Sequence, residues 1–290
     1  MANEIKKGSL YIVATPIGNL SDLSPRAVKV LSEVDFIAAE DTRNTVKLLT
    51  HLGIKKPMIS YYEHNKREHG EIIVRRIKDE GQSCALVSDA GTPAISDPGE
   101  DLVALCAEKG ITVTSIPGCC AGITALTLSG LPTGRFTFEG FLSVNKSDRK
   151  KHLDSLKNEP RTMIFHEAPH KLKTTLSDLR ESFGDTRRIS LCRELTKLNE
   201  EVLRLTLAEA VAYYEENAPR GEYVLVVAGA GEGSTAEEVF WADMTIPDHV
   251  AYYMEQGMTK KDAIKAAARD RGVPKNEVYQ QVLDSFSAQE

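Results

Sequence analysis

Between Gly8 and Pro117 the chain alternates short apolar runs with amphipathic segments and places no tight hairpin turn between them. That order restricts the fold more than any other feature. Strands joined only through helices lie parallel, connect by right-handed crossovers and need helices on both faces of their sheet. "SLYIVAT" (Ser9 to Thr15), "DFIAAE", "MISYY", "SCALVS" and "ITVTSI" read as the strands. Between them, "SPRAVKVLSEV" reads as a helix capped by Ser24 with Pro25 in its first turn, and "TVKLLTHLG" as one closed by Gly53. "KREHGEIIVRRIKDEG" and "GEDLVALCAEKG" supply two more.

The texture changes after "IPGCCAGITALTLSGLP", a Pro-Gly break followed by small residues. "RFTFEGFL" alternates apolar and polar residues as a half-buried strand does, and "RTMIFHE", "RRISLCREL", "EVLRLTL" and "GEYVLVVAG" repeat the theme. With helices expected over Lys146 to Leu156 and Pro169 to Ser182, this is a second α/β unit containing antiparallel pairs. "GAGEGSTAEE" (Gly229 to Glu238) reads as a polar linker to a small helical appendage, in which Thr259 caps a helix, Gly272 stops it and another starts after Pro274. Plain packing and a helix-turn-helix both fit that pair. The expected boundaries are 1–117, 118–230 and 231–290.

A 41% hydrophobic content supplies a core for 290 residues. No apolar run approaches the roughly 20 residues that cross a bilayer, and "MANEIKKGSLYIVATP" lacks the apolar core of a secretion signal. The chain reads as cytoplasmic. Five cysteines, without CxxC spacing or a nearby His cluster, argue against a disulfide framework and against a zinc site. A net charge of −6 gives no global attraction to nucleic acid. Two stretches are locally basic, "NKSDRKKH" (Asn145 to His152) and "TKKDAIKAAARDRGVPKNE" (Thr259 to Glu277), and each is either a solvated helix face or an RNA backbone contact.

In an open α/β sheet, ligands collect beyond the carboxyl ends of the strands. "TPIGNLSD", "EDTRNT" and "SDAGTPAISDPG" all follow strands, and they combine glycines that allow close backbone approach with hydroxyls and carboxylates that hydrogen-bond. There is no GxxxxGK[ST] phosphate loop, and "GAGEG" follows the last strand, in the wrong place for a dinucleotide fingerprint. Neutral bends of this kind suit a ligand with amine, carboxylate and adenine edges but no phosphate. S-adenosyl-L-methionine is such a ligand.

Nine segments, in order over about Gly8 to Ala228, carry a resemblance: "GSLYIVATPIGNLSDLSPRAV", "VDFIAAEDTRNTVKLL", "SYYEHN", "VSDAGTPAISDPG", "IPG", "SGLPTGRFTFEGFL", "EPRTMIFHEAPHKL", "RELTKLNEE" and "GEYVLVV". They resemble the tetrapyrrole methylase fold family, and within it the bacterial enzymes that methylate a cytidine 2′-hydroxyl in small-subunit ribosomal RNA near the decoding centre. "PGCCAG" departs from the Pro-Gly-Pro-Ser-Ala of relatives, keeping the small residues without the hydroxyl. The resemblance implies a homodimer of two-domain α/β chains, with S-adenosylmethionine in the cleft between domains and no metal; the small-subunit ribosomal RNA it would act on is either free or, the expectation here, in the assembled 30S subunit. Carried over residue by residue, the cofactor contacts fall on Pro16, Gly18 and Asn19; on Asp89, Ala90, Gly91, Thr92, Pro93, Ile95 and Ser96; on Gly118 and Thr124; and on His166, Ala168 and Leu195. The loops "EDTRNT" and "YEHN" would face the RNA.

Methyl transfer to a ribose is an in-line displacement by a poor nucleophile, so a nearby base should help. Asp41, Glu63, His64 and Asp89 are candidates, with Arg43 able to orient a phosphate. Plainer roles stand beside these. Glu40 and Asp41 precede a helix they could cap, and Arg43 could pair with either at the surface. His64 could be an exposed loop residue, Asp89 and Asp97 turn aspartates, His166 a structural histidine, and Tyr61 and Tyr62 strand packing rather than base stacking. Rival functions remain open at this point: a corrin or porphyrin C-methyltransferase, a ribosome-binding module with a vestigial cleft, or a helix-turn-helix regulator.

Overall fold

The computed structural model describes residues 4–231, 241 and 244–287. Residues 1–230 form one compact unit and 231–290 a second. The first unit contains two sheets. β1 (Ser9–Val13), α1 (Pro25–Glu33), β2 (Phe36–Ala39), α2 (Thr42–His51), β3 (Met58–Ser60), α3 (Lys66–Lys78), β4 (Cys84–Val87), α4 (Gly99–Glu108) and β5 (Thr112–Ile116) build the first, in the order β3-β2-β4-β1-β5 with every pair parallel. Apolar strands make this possible: β1, β2 and β4 are buried along their whole length. α3 and α4 cover one face through Ile73, Ile77 and Leu102, and α1 and α2 the other through Val30, Leu31 and Leu49.

The strand order sets where a ligand can enter. From β1 the chain moves toward β2 and β3; from β4 it moves the other way, to β5. The crevice between the carboxyl ends of β1 and β4 is therefore the switch point, where the loops diverge and leave space.

α5 (Ala121–Leu128) leads into the second sheet, formed by β6 (Phe136–Phe141), β7 (Thr162–Glu167), β8 (Arg188–Arg193), β9 (Glu201–Thr206) and β10 (Tyr223–Val227) in the order β6-β7-β10-β8-β9. The pairs along β7, β10, β8 and β9 are antiparallel, whereas β6 runs parallel to β7 at the edge. α6 (Lys146–Ser155), α7 (Leu172–Phe183) and α8 (Leu207–Glu216) cover one face, around Met163, Phe165, Leu176 and Leu225. On the other face lies α5 with Ala125 and Leu126 against Ile164, Cys192 and Val226.

Three local expectations differ from what is observed. α2 begins at Thr42, ahead of the "TVKLL" pattern, because the Asp41 carboxylate accepts from the Arg43 amide at 2.8 Å and caps the helix early. β3 ends at Ser60: Tyr61 turns into the core and Tyr62 to solvent. β6 is not half-buried in the expected sense, since Phe136, Phe138 and Phe141 are 38%, 39% and 60% exposed.

The second unit is described by itself. α9 (Ile246–Glu255), α10 (Lys260–Arg271) and α11 (Lys275–Ser287) pack around Val250, Ile264, Ala267, Val278 and Val282. Thr259 caps α10 and Gly272 ends it in a left-handed conformation, while α9 has no counterpart in the sequence reading. Most of the expected linker, 229–238, lies outside the described residues.

Candidate functional site

Three loops at the switch point are locked to one another by hydrogen bonds. Thr15 N–H donates to Gly91 O at 2.9 Å and Gly91 N–H to Thr15 O at 3.1 Å, tying the β1 loop to the β4 loop. Thr92 Oγ1 donates to Cys119 O at 2.8 Å and so draws in the segment after β5. Glycine is required where they touch. A Cβ on Gly118 would stand 2.8 Å from that of Ala14, and one on Gly18 would stand 3.2 Å from Leu195 O and closer still to the side chains of Thr196 and Lys197. The β1 loop thus meets the loop after β8, which belongs to the other sheet.

Both large loops carry backbone strain. Ala94 and Ser96 after β4, and Glu194 and Thr196 after β8, have φ between 51° and 68°, a region unfavourable for residues with a Cβ. Each loop is held there by a carboxylate. Asp97 Oδ1 accepts from Ala94 N–H at 3.0 Å and Gly99 N–H at 2.8 Å, and so serves as turn and cap. Glu194 Oε1 accepts from Glu222 N–H at 3.0 Å and from Lys197 at 2.9 Å.

Two adjoining chambers open between the sheets. The larger, 480 Å³, lies between the β4 loop, α5 and β6, and is lined by Gly91, Thr92, Ile95, Ser96, Glu100, Cys120, Ile123, Phe136 and Phe138 among others. The smaller, 380 Å³, lies over β7, β8 and β10, with Phe141, Glu167, Ala168, Pro169, Leu195, Lys197, Glu222 and Tyr223 in its walls. Ile17, Ala90, Ala121 and His166 line both.

His166, at this junction, is packed between the ring edges of Phe138 and Phe141, with centroids 5.2 and 5.4 Å away. Burial disfavours its cation and holds its pKa below that of a free imidazole. Its Nε2 is buried without a hydrogen-bond partner. Beside it, Glu167 is satisfied internally, accepting from Ala168 N–H at 2.8 Å and Thr175 Oγ1 at 2.5 Å.

Of the residues expected to touch a cofactor, Ala90, Gly91, Thr92, Ile95, Ser96, His166, Ala168 and Leu195 line these chambers. Pro16, Gly18, Asn19, Asp89, Pro93, Gly118 and Thr124 lie outside the linings. Gly18 and Gly118 act through close packing, Asn19 accepts from Ser21 N–H in a short 3-10 turn, and Thr124 Oγ1 returns to Cys120 O. Sequence reasoning missed Glu100 and the three phenylalanines. The signal was present in "FTFEGF": a β-bulge at Glu139, followed by Gly140 at φ +63°, keeps Phe141 on the same face as Phe136 and Phe138.

The candidate catalytic residues fall into two groups. Asp41 and Arg43 form a forked ion pair, the shortest contact 2.6 Å, which holds the Asp41 carboxyl down at about 2. Asn44 Nδ2 reaches Asp89 Oδ2 at 3.3 Å, and Asp89 N–H donates to Glu40 Oε2 at 3.2 Å, so this group borders the β4 loop. Burial, followed by the charges of Asp89, Asp97 and Asp41, raises Glu40, against the Asp89 hydrogen bond. Glu63 and His64 follow β3, two strand spacings or roughly 10 Å from β4. Glu63 pairs with Lys66 at 2.8 Å, and exposed His64 faces the Tyr62 ring edge-on at 6.2 Å.

On basic α6, Arg149 pairs with Asp178 at 2.6 Å and His152 with Glu139 at 2.9 Å, while exposed Lys146 and Lys151 point to solvent. In the tail, Arg271 is consumed internally by His249 and the Met244 and Trp241 carbonyls, whereas Lys261 and Lys265 are exposed. Among the described residues no histidines, cysteines and carboxylates cluster as metal ligands, and no helix is long and apolar enough to cross a membrane.

Comparison with known proteins adds to this geometry. A profile of the tetrapyrrole (corrin/porphyrin) methylases matches residues 9–211. The chain is 50% identical over 273 residues to ribosomal RNA small subunit methyltransferase I of Halalkalibacterium halodurans, covering 94% of each chain. It is 48% identical to the protein of that name in Bacillus subtilis, over 94% of this chain and 93% of the relative. Among solved structures, uroporphyrin-III-C-methyltransferase of Thermus thermophilus superposes with a TM-score of 0.54 at 19% identity, over 77% of this chain and 94% of that one, a likeness of fold.

Proposed function

Because the chain belongs to the tetrapyrrole methylase family, whose methyl donor is S-adenosylmethionine, we propose that it methylates small-subunit ribosomal RNA at the 2′-hydroxyl of a cytidine near the decoding centre. The substrate is the assembled subunit, and the enzyme acts as a homodimer. The observation that carries the choice of small-subunit ribosomal RNA is the likeness to relatives named as ribosomal RNA small subunit methyltransferases, which is too long to fit within the first 230 residues and so reaches into the helical tail.

The cleft residues fit the donor. The larger chamber has no lysine or arginine in its lining, and Lys197 in the smaller is neutralised by Glu194 and Glu222 at 2.9 and 2.8 Å. Such a cleft rejects phosphates and tolerates a cation. When bound, S-adenosylmethionine supplies an electrophilic methyl group on a sulfonium. Ile17, Ala90, Ala121, His166, Ala168 and Leu195 would hold it, with the unpartnered His166 Nε2 offering a hydrogen bond. Gly18 and Gly118 keep the loops close enough to exclude water.

The other residues serve the acceptor. Arg43, its side chain 87% exposed and its direction fixed by Asp41, meets an RNA phosphate. Asp41, strongly acidic, is a poor base; Glu40, raised by burial, is the more basic carboxylate of that group. Glu63, His64, Lys146 and Lys151 flank the RNA.

The test is incubation with labelled S-adenosylmethionine and small subunits lacking the modification, followed by nucleoside mass analysis. Label in 2′-O-methylcytidine is expected, with subunit binding that weakens as salt rises. Label on a base carbon or nitrogen, or transfer to a precorrin instead of RNA, would contradict the reading.

A further inference from the structure

Resting on the reading of the protein as an RNA ribose methyltransferase, we propose that the larger chamber receives the extruded cytosine of the target nucleotide, stacked on Phe136 and Phe138, with its exocyclic amine held by Glu100. The two chambers share only Ile17, Ala90, Ala121 and His166. In-line transfer requires the ribose oxygen and the sulfonium to meet. Each substrate therefore presents its reacting atom at that junction. The donor takes the smaller chamber and the adjoining loop after β4, with Thr92, Ile95 and Ser96, and leaves the side of the larger chamber walled by Glu100, Phe136 and Phe138 to the acceptor.

The walls of the larger chamber favour a base over any other part of a nucleotide. A cavity of 480 Å³ is within the range of small-ligand sites, roughly 300–1,000 Å³. Without a cation in its lining it leaves the phosphates outside. β6 is an edge strand, and its bulge turns three phenylalanines toward the cleft rather than into a core. Exposed rings of this kind are platforms on which an unstacked base regains the stacking it gives up on leaving its helix. Glu100 is exposed in the first turn of α4, and its side chain makes no hydrogen bond or ion pair among the described residues. A carboxylate accepts from the N4 amine of cytosine and repels the O4 of uracil.

The experiment compares the wild type with Phe136→Ala, Phe136→Leu and Glu100→Gln on small subunits reconstituted with cytidine or uridine at the target position. Affinity for S-adenosylhomocysteine is measured for each by calorimetry. Both Phe136 variants should raise KM for the cytidine subunit about fivefold or more, the low end for loss of a stacked base, and leave S-adenosylhomocysteine affinity within about twofold of wild type. Glu100→Gln, whose amide can face either base, should narrow the cytidine-over-uridine preference in kcat/KM by about tenfold. A loss of S-adenosylhomocysteine affinity in these variants would give the larger chamber to the donor and overturn the assignment. Unchanged KM and base preference would overturn it equally. A wild type inactive on both subunits would remove the functional reading, and this one with it, before any variant is compared.

Discussion

The two sheets of the first unit have five strands each, yet they contribute to the cleft in opposite ways. The parallel sheet spends its side chains on its own core, β1, β2 and β4 being wholly buried, and serves the site with backbone: loops, glycines and amides at the switch point. The mixed sheet does the reverse. Its edge strand β6 withholds three phenylalanines from the core and turns them to the cleft beside His166. A site between two such sheets gets its shape from the backbone of one and its aromatic walls from the other.

Two phenylalanines of the mixed sheet test that division. Phe165 is fully buried against α7, whereas Phe136 is 38% exposed. Phe165→Ala should cost about 3–5 kcal/mol in urea unfolding, and Phe136→Ala less than about 1 kcal/mol. Equal losses would mean that β6 packs as a core strand and that the division is wrong.

This difference also explains what could be read from sequence. The parallel sheet was legible because a buried strand between helices has one reading, and because Gly-Pro-Asp loops after strands have few uses. In the mixed sheet the elements were legible but the direction of β6 was not: Phe136, Phe138 and Phe141 satisfy the alternation of a core strand, and their exposure depends on an edge position and a bulge that only tertiary pairing creates. Glu100 was hidden for a related reason. It reads as an ordinary acidic residue in the first turn of a helix, and its place in a chamber wall comes from β6, nearly forty residues away. At the other extreme, the cap at Asp41 and the turn at Asp97 are local roles open to a reader of the sequence, since both are made by hydrogen bonds within three residues.

On the backbone side, Gly118→Val should weaken S-adenosylhomocysteine binding by about a hundredfold, because the new side chain meets the buried Cβ of Ala14, which has no room to yield. Calorimetry alongside Phe136→Ala separates the two contributions: the first variant loses the donor and the second keeps it.

A smaller effect follows pH. Burial keeps the folded pKa of His166 below its ordinary 6.5. The unfolded chain therefore takes up the proton first as pH falls, and stability declines from about pH 6.5 down through the folded value. Thermal unfolding of wild type and His166→Phe between pH 7.5 and 5 should show a shallower fall for the variant; parallel curves would place the pH dependence elsewhere.

The least change is expected at Arg43, whose surface ion pair with Asp41 is worth about 0–1 kcal/mol. Arg43→Ala should barely move the unfolding midpoint yet reduce the salt slope of subunit binding by about one. An unchanged slope would remove Arg43 from the RNA contacts.

Diffraction from crystals soaked with S-adenosylhomocysteine tests most directly whether the two sheets build one cleft with a donor side and an acceptor side. The account predicts density over Ala168 and Leu195, with its sulfur at the junction of Ile17, Ala90, Ala121 and His166 and the chamber beneath Phe136 left open. Density filling that chamber, or lodged away from the switch point, would contradict it.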